Sequence, residues 1–227
     1  MRFEDLNWMD VENYLKADDR LMLVTGACEQ HGYLSLLTDS KIPMAFADAA
    51  SQLTGVLVGP ALNFGISPYF TTYPGTITLR AQTYLAVIAD LVRSLHAHGF
   101  KRMLFVNGHG GNDPARGALS ELVNELPSLR VSWYSWWLSP GTAAVAQQAG
   151  LAPFHASWSE AFSFCRVADL PPGAKAPAGS QRLLSAAETR ALYGDGVFGG
   201  AYSASDEVMQ RLFEACVTDV VERLRFE

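Results

Sequence analysis

Apolar residues recur along the chain with two distinct spacings. Between Ala81 and His98, the positions Leu85, Ile88, Leu91, Val92 and Leu95 fall at helical intervals and Gly99 follows as a natural stop, so the pattern predicts a helix over 81–98. A second long helix is predicted from Ser205 to Arg225, with Val208, Leu212, Val217, Val220 and Val221 on one side. Asn7 to Lys16 reads as a short amphipathic helix capped by Asn7, and alanine-rich Lys41 to Leu53 as another. Between these lie short apolar runs that read as strands: Leu21–Val24 ending at Gly26, Gly55–Val58, Met103–Val106, and Leu129–Ser135. Strands alternating with helices imply an α/β fold with a mainly parallel sheet, right-handed crossovers and helices on both faces.

In such sheets ligands bind beyond the carboxyl ends of the strands, and the chain places its polar clusters there. Glu29-Gln30-His31 follows the first strand, with a carboxylate and an imidazole two apart in extended backbone, where alternate side chains point the same way. Asp39 comes after a short loop, and its two oxygens can bridge a pair of cations. The third strand leads into Asn107-Gly108-His109-Gly110-Gly111-Asn112, a glycine-rich turn with Pro114 in the first turn of the next helix. Glutamate, aspartate and two histidines form a mixed nitrogen and oxygen set suited to zinc, manganese or iron, and no thiolate lies near to suggest a structural zinc. Taken singly, an isolated histidine is more often a hydrogen-bonded structural residue and an aspartate after threonine a helix cap; their joint position at strand ends favours the catalytic reading.

His155 and Glu160 stand five apart, a spacing that a helix does not bring to one face but a turn leading into a helix does. That arrangement would let Glu160 reach the metal and His155 act on protons. The irregular stretch through Asn63, Pro68 and Pro74, rich in aromatic residues including Tyr69, is expected to wall a pocket. Gly110 and Gly111 offer amides to a substrate carbonyl. Trp133, Trp136, Trp137 and Trp158 are candidates for a stacking wall, with Trp136 and Trp158 the leading pair. The same glycine-rich turn has a second reading as a phosphate cradle, although it fits neither nucleotide-binding fingerprint and no lysine follows.

Composition narrows the partners. The formal net charge of −6 gives no electrostatic reason to expect nucleic acid or an anionic membrane, so a small molecule is the expected partner. No basic and apolar leader opens the sequence and no apolar run is long enough to span a bilayer, which leads to the expectation of a soluble, cytoplasmic protein. The 227 residues show no linker-like tract and are read as one domain over 1–227, while the low charged fraction of 18% suggests surface buried in an oligomer. Three cysteines without CxxC spacing argue against a disulfide framework, and Cys28, which adjoins the first cluster, reads as a small residue closing a strand more readily than as a nucleophile.

The motifs together resemble those of the creatininase (creatinine amidohydrolase) family. Gly26-Ala27-Cys28-Glu29-Gln30-His31-Gly32 followed by Thr38-Asp39 is similar to G-S-x-E-Q-H-G … T-D, and Asn107 to Asn112 to N-G-H-G-G-N. Tyr73-Pro74-Gly75-Thr76 resembles F-P-G-T, His155-Ala156 with Glu160 resembles H-A-G-x-x-E-T-S, and Gly196-Val197-Phe198-Gly199 resembles the G-x-x-G-D-P element. The resemblance implies a three-layer α/β/α sandwich, a homo-oligomer that is often a hexamer, and a two-metal centre that hydrolyses a C–N bond in a small, cyclic or formylated amide. It assigns Glu29, Asp39 and His109 to one metal and His31, Asp39 and Glu160 to the other, with Asp39 as the bridge. Three departures stand out. The segment from His31 to Leu37 lacks the family's second histidine and is one residue shorter, Tyr69-Phe70 replaces a Glu-His pair, and Gly111 stands where creatininase itself carries a glutamate, which argues against creatininase activity proper. Two alternatives remain at this point: a phosphate-binding or nucleotide-binding protein, and a non-catalytic protein on the same fold.

Overall fold

A computed structural model describes all 227 residues. Four parallel strands, β1 (Arg20–Thr25), β2 (Leu57–Val58), β3 (Arg102–Asn107) and β4 (Arg130–Ser135), form one sheet in the order β2-β1-β3-β4. Alternate side chains of each strand enter opposite layers, as a period of two requires. Met22, Val24, Leu104 and Val106 face one apolar cluster, and Leu21, Leu23, Met103 and Phe105 the other. The interiors of β1 and β3, Leu21–Val24 and Met103–Val106, are therefore apolar without interruption because both faces are covered.

The first layer contains α2 (Thr38–Thr54), α5 (Pro140–Ala149) and α7 (Asp206–Arg223), and the second α3 (Ala81–His98) and α4 (Ala115–Glu125). A short helix, α1 (Trp8–Leu15), begins the chain with Asn7 and Asp10 as a reciprocal capping box, in line with the cap expected there. The boundaries of α3 fall on the expected residues, and Gly99 ends it in the left-handed region at φ 111°. Helix α6 (Ala186–Tyr193) and a small antiparallel pair, β5 (Ala174–Lys175) with β6 (Gly200–Ala201), stand apart from the main sheet. No helix is long and apolar enough to cross a membrane.

Strand β1 leads into α2 on one face, whereas β3 leads into α4 on the other. The chain thus turns opposite ways after two neighbouring strands, which opens a crevice at their carboxyl ends. One helix starts earlier than expected: α2 begins at Thr38, not Lys41, so Asp39 sits in its first turn. Pro43 has no N–H to give the Asp39 carbonyl, and glycine backbone fills the space beside it. A Cβ on Gly108 would lie 1.9 Å from the Asp39 oxygen, and one on Gly26 would lie 2.6 Å from it. Bare backbone after β1 and β3 therefore lets the first turn of α2 settle onto the sheet edge with Asp39 between the two strand ends.

Candidate metal centre

Five acidic and imidazole side chains converge in that crevice. Glu29, His31, Asp39 and His109 are buried, and Glu160 is half-buried. His31 Nε2 lies 2.9 Å from Asp39 Oδ1 and 3.6 Å from Glu160 Oε2. His109 Nδ1 lies 2.9 Å from Asp39 Oδ2 and 3.4 Å from Glu29 Oε1. The ligand atoms of Glu29, Asp39 and His109 fall within 4.8 Å of one another, and so do those of His31, Asp39 and Glu160. Asp39 belongs to both triads, with one oxygen directed at each.

The histidines are aimed from behind. His109 Nε2 meets the Ile66 carbonyl at 3.0 Å and Ser67 Oγ at 3.2 Å, so a proton at Nε2 leaves the Nδ1 lone pair facing the carboxylates. Asn107 holds the turn: its Oδ1 accepts from the His109 N–H at 3.2 Å, its Nδ2 donates to the His109 carbonyl at 2.8 Å, and Thr25 Oγ1 donates to Oδ1 at 3.1 Å. Beside Glu29, the Cys28 thiol is directed at the Gly75 carbonyl at 3.4 Å and burial raises its pKa. All three cysteines are free.

A turn brings His155 and Glu160 to the same cavity. Ala156 takes a left-handed backbone, φ 59°, which is uncommon for a residue with a side chain, and a single 3-10 turn over Trp158–Glu160 follows. The Glu160 carboxylate reaches back to accept from the Ala156 N–H at 2.5 Å. His155 stacks on Phe70 at 4.9 Å, has Phe198 at 4.8 Å, and directs Nδ1 towards Glu29 Oε1 at 3.8 Å.

The electrostatics follow from crowding three carboxylates out of water. Burial lowers the His31 pKa, but Asp39, Glu160 and Glu29 outweigh it and hold it up to about 10. His109 is raised in the same way by Glu29 and Asp39 against the effect of burial. Asp39 is depressed far below the carboxylate range, since the two imidazoles overcome its desolvation. Burial pushes Glu160 up to about 7. Burial and the neighbouring His31 drive His155 well below its ordinary value, so its ring is neutral.

A cavity of about 570 Å³ opens above the cluster, with Tyr69, Phe70, Phe154, Tyr193 and Phe198 among its aromatic lining residues. Gly110 lines it, and so does Trp137. Two expected substrate contacts are corrected. Trp136 and Trp158 are fully buried in the core. Trp136 continues the inward side of β4 against Phe46 at 5.9 Å, and Trp158 donates its Nε1 proton to the Ala152 carbonyl at 3.1 Å. Trp133 also faces elsewhere, stacked on Phe105 at 5.6 Å. Gly111 is a third correction: a Cβ there would lie 2.1 Å from the Ile66 oxygen, so it packs behind His109 instead of lining the cavity. The sequence reading missed Gln30, Ser67, Phe154, Tyr193 and Phe198; only Gln30 and Phe198, which lie within quoted motifs, carried any signal.

The fold and the two triads define an α/β protein with an acidic, histidine-containing centre at a topological switch point. The creatininase family, described as creatinine amidohydrolase, matches residues 4–224, and the chain belongs to that family of hydrolases acting on C–N amide bonds. Over 252 aligned residues the chain is 29% identical to a creatinine amidohydrolase of Pseudomonas putida, covering 98% of this chain and 95% of the relative. It is 35% identical over 116 residues to a mycofactocin precursor peptide peptidase of Mycobacterium ulcerans, a match covering 46% of each. Among solved structures, the manganese form of a creatininase aligns with a TM-score of 0.80 at 25% identity, covering 99% of this chain and 97% of the other. A mutant creatininase complexed with creatine gives 0.80 at 26% identity with the same coverage.

Proposed function

We propose that this chain hydrolyses the C–N bond of a small amide with two divalent cations, held by Glu29, Asp39 and His109 on one side and by His31, Asp39 and Glu160 on the other. The observation that carries this reading is a set of buried polar atoms facing one another without hydrogen bonds. Glu29 Oε2, His31 Nε2 and Asp39 Oδ2 have no hydrogen-bond partner, although His31 Nε2 and Asp39 Oδ2 each have an opposing ligand atom at 2.9 Å. Close approach without bond geometry is what atoms arranged around a shared cation present, and the nitrogen and oxygen set suits zinc, manganese or iron(II). Divalent cations held by these residues would supply a lowered water pKa and polarisation of a substrate carbonyl.

The remaining work falls to this chain's own groups. His155 stands over Glu29 and offers its ring N–H as a hydrogen-bond donor to the reacting amide, while the Gly110 amide assists at the developing oxyanion. Tyr69, Trp137 and Phe154 flank a flat substrate and keep water from it. A cyclic or formylated amide fits the reading, and a cavity of about 570 Å³ also leaves room for a larger amide such as a short peptide, the class named for the mycobacterial relatives. The protein is read as one catalytic domain over 1–227 in a cytoplasmic homo-oligomer, a hexamer by family resemblance. Exposed Trp8, Leu53 and Leu138 are apolar surface that such an assembly would cover.

Elemental analysis of the purified protein beside Asp39→Ala tests the reading. About two equivalents of metal per chain, lost in the variant together with turnover in a screen of small amides, is the expected result. Wild-type protein that takes up no added zinc or manganese would overturn it.

A further inference from the structure

Gln30 sits between two proposed metal ligands, yet its own side chain turns to the opposite end of the chain. The residue is buried. Its Oε1 accepts from the Gly32 N–H at 3.1 Å, and its Nε2 donates to the Gly196 carbonyl at 3.1 Å. One backbone donor and one backbone acceptor fix which end of the amide is which, because a flipped amide would set oxygen against oxygen and N–H against N–H. Nε2 then has one hydrogen left, and its neighbour is His155 Nε2 at 3.0 Å.

We propose that Gln30, clamped by the glycine-rich segment 194–200, is a positioning residue that sets the tautomer of His155. Its remaining N–H donates to His155 Nε2, so the single ring proton sits on Nδ1, the nitrogen directed at Glu29 and the cavity. The rival partner is the Gln30 carbonyl, 3.2 Å from the same Nε2. A proton on Nε2 aimed at that carbonyl would leave two N–H groups facing each other at 3.0 Å, which the locked amide cannot turn to avoid. The same segment also contributes Phe198, which packs against the His155 ring alongside Phe70, the two phenyl rings lying 5.8 Å apart.

The clamp accounts for a glycine. Gly196 has φ 92°, and a Cβ there would lie 1.7 Å from Gln30 Oε1, so a side chain at 196 and the amide of Gln30 compete for one space. The tautomer also limits the chemistry of His155. A neutral ring with its proton on Nδ1 offers a hydrogen bond to the substrate atom that gains charge, and cannot take a proton from water at that atom. His155 is therefore a donor towards the cavity rather than its general base. This inference rests on the amide-hydrolase reading for its catalytic consequence but not for the tautomer itself.

The test is ¹⁵N nuclear magnetic resonance of the imidazoles in zinc-loaded protein, run beside steady-state kinetics for wild type, Gln30→Glu, Gln30→Met and Gly196→Ala. The expected result is a wild-type His155 protonated at Nδ1 and a switch towards Nε2–H in Gln30→Glu, whose carboxylate accepts that proton. Turnover number should fall about 100-fold, the low end for losing one positioned hydrogen-bond donor to developing charge, with KM and zinc content near wild type. Gly196→Ala should reproduce the effect from outside the cluster; should that variant not fold, Gln30→Met removes the donor with little change in volume. A wild-type ring protonated at Nε2, or variants that lose zinc and turnover in proportion while keeping the wild-type tautomer, would overturn the proposal. If no amide is turned over, the hydrolase reading fails while the tautomer is still decided by the spectra.

Discussion

The two triads that share Asp39 are built from different materials. Glu29 and His109 follow adjacent strands of the same sheet, and the turn that carries His109 is held by Asn107, Ile66 and Ser67. Glu160 comes from a segment without a strand or long helix, turned into place by a left-handed alanine and a backbone hydrogen bond. Sheet-built positions are set by the core, whereas turn-built positions are set locally and are free to change without repacking the domain. The difference teaches which half of the centre is the scaffold and which is adjustable.

Asp39→Ala breaks both halves at once and should have the largest effect. Both metal equivalents should be lost by elemental analysis, and kcat/KM on any accepted amide should fall by more than about 10⁴-fold, beyond the cost of a lost general acid. Glu160→Ala separates them: one equivalent should remain, with Glu29, Asp39 and His109. Loss of both equivalents in that variant would show that the two sites fill as a unit.

A third expectation concerns pH. With metal chelated, His31 has a folded pKa of about 10 against an ordinary 6.5, and His109 shifts in the same direction. A raised folded pKa contributes stability that is complete below the unfolded value and lost as pH climbs through the folded one. Chelated protein should therefore melt at progressively lower temperature from about pH 6.5 to 10. Metal-loaded protein should be flatter over the same window, because its imidazoles have already surrendered their protons. The smallest expected effect is at the turn. Ala156→Gly relieves the left-handed backbone and should stabilise by about 0.5–1 kcal/mol in denaturant unfolding, after the entropy of an added glycine is counted. A simultaneous fall in turnover would show that the alanine is needed to keep Glu160 in place.

The two halves were also unequally visible in the sequence. Helical periodicity and Gly99 set the limits of α3, and apolar runs located each main strand, because burial on both faces leaves only apolar residues between the end positions of β1 and β3. The Glu29 to Asp39 and Asn107 to Asn112 clusters could be placed together from topology. The start of α2 was not visible: Leu37 offers no capping side chain, so the helix is expected only from Lys41 although Thr38 and Asp39 open it. The aromatic wall was the least legible feature. Trp136 and Trp137 are neighbours in sequence, yet the first is buried in the core and the second lines the cavity, and which ring faces which way depends on the turn that ends β4.

Cys28 gives this architecture a practical use. Cys165 and Cys216 are buried, whereas Cys28 is partly exposed and lies one residue from Glu29. Burial raises its pKa, so it should react slowly with thiol reagents near neutral pH. Alkylation under mildly alkaline conditions should therefore place a single fluorophore beside the centre in otherwise native protein, giving an optical reporter of ligand entry that requires no engineered cysteine.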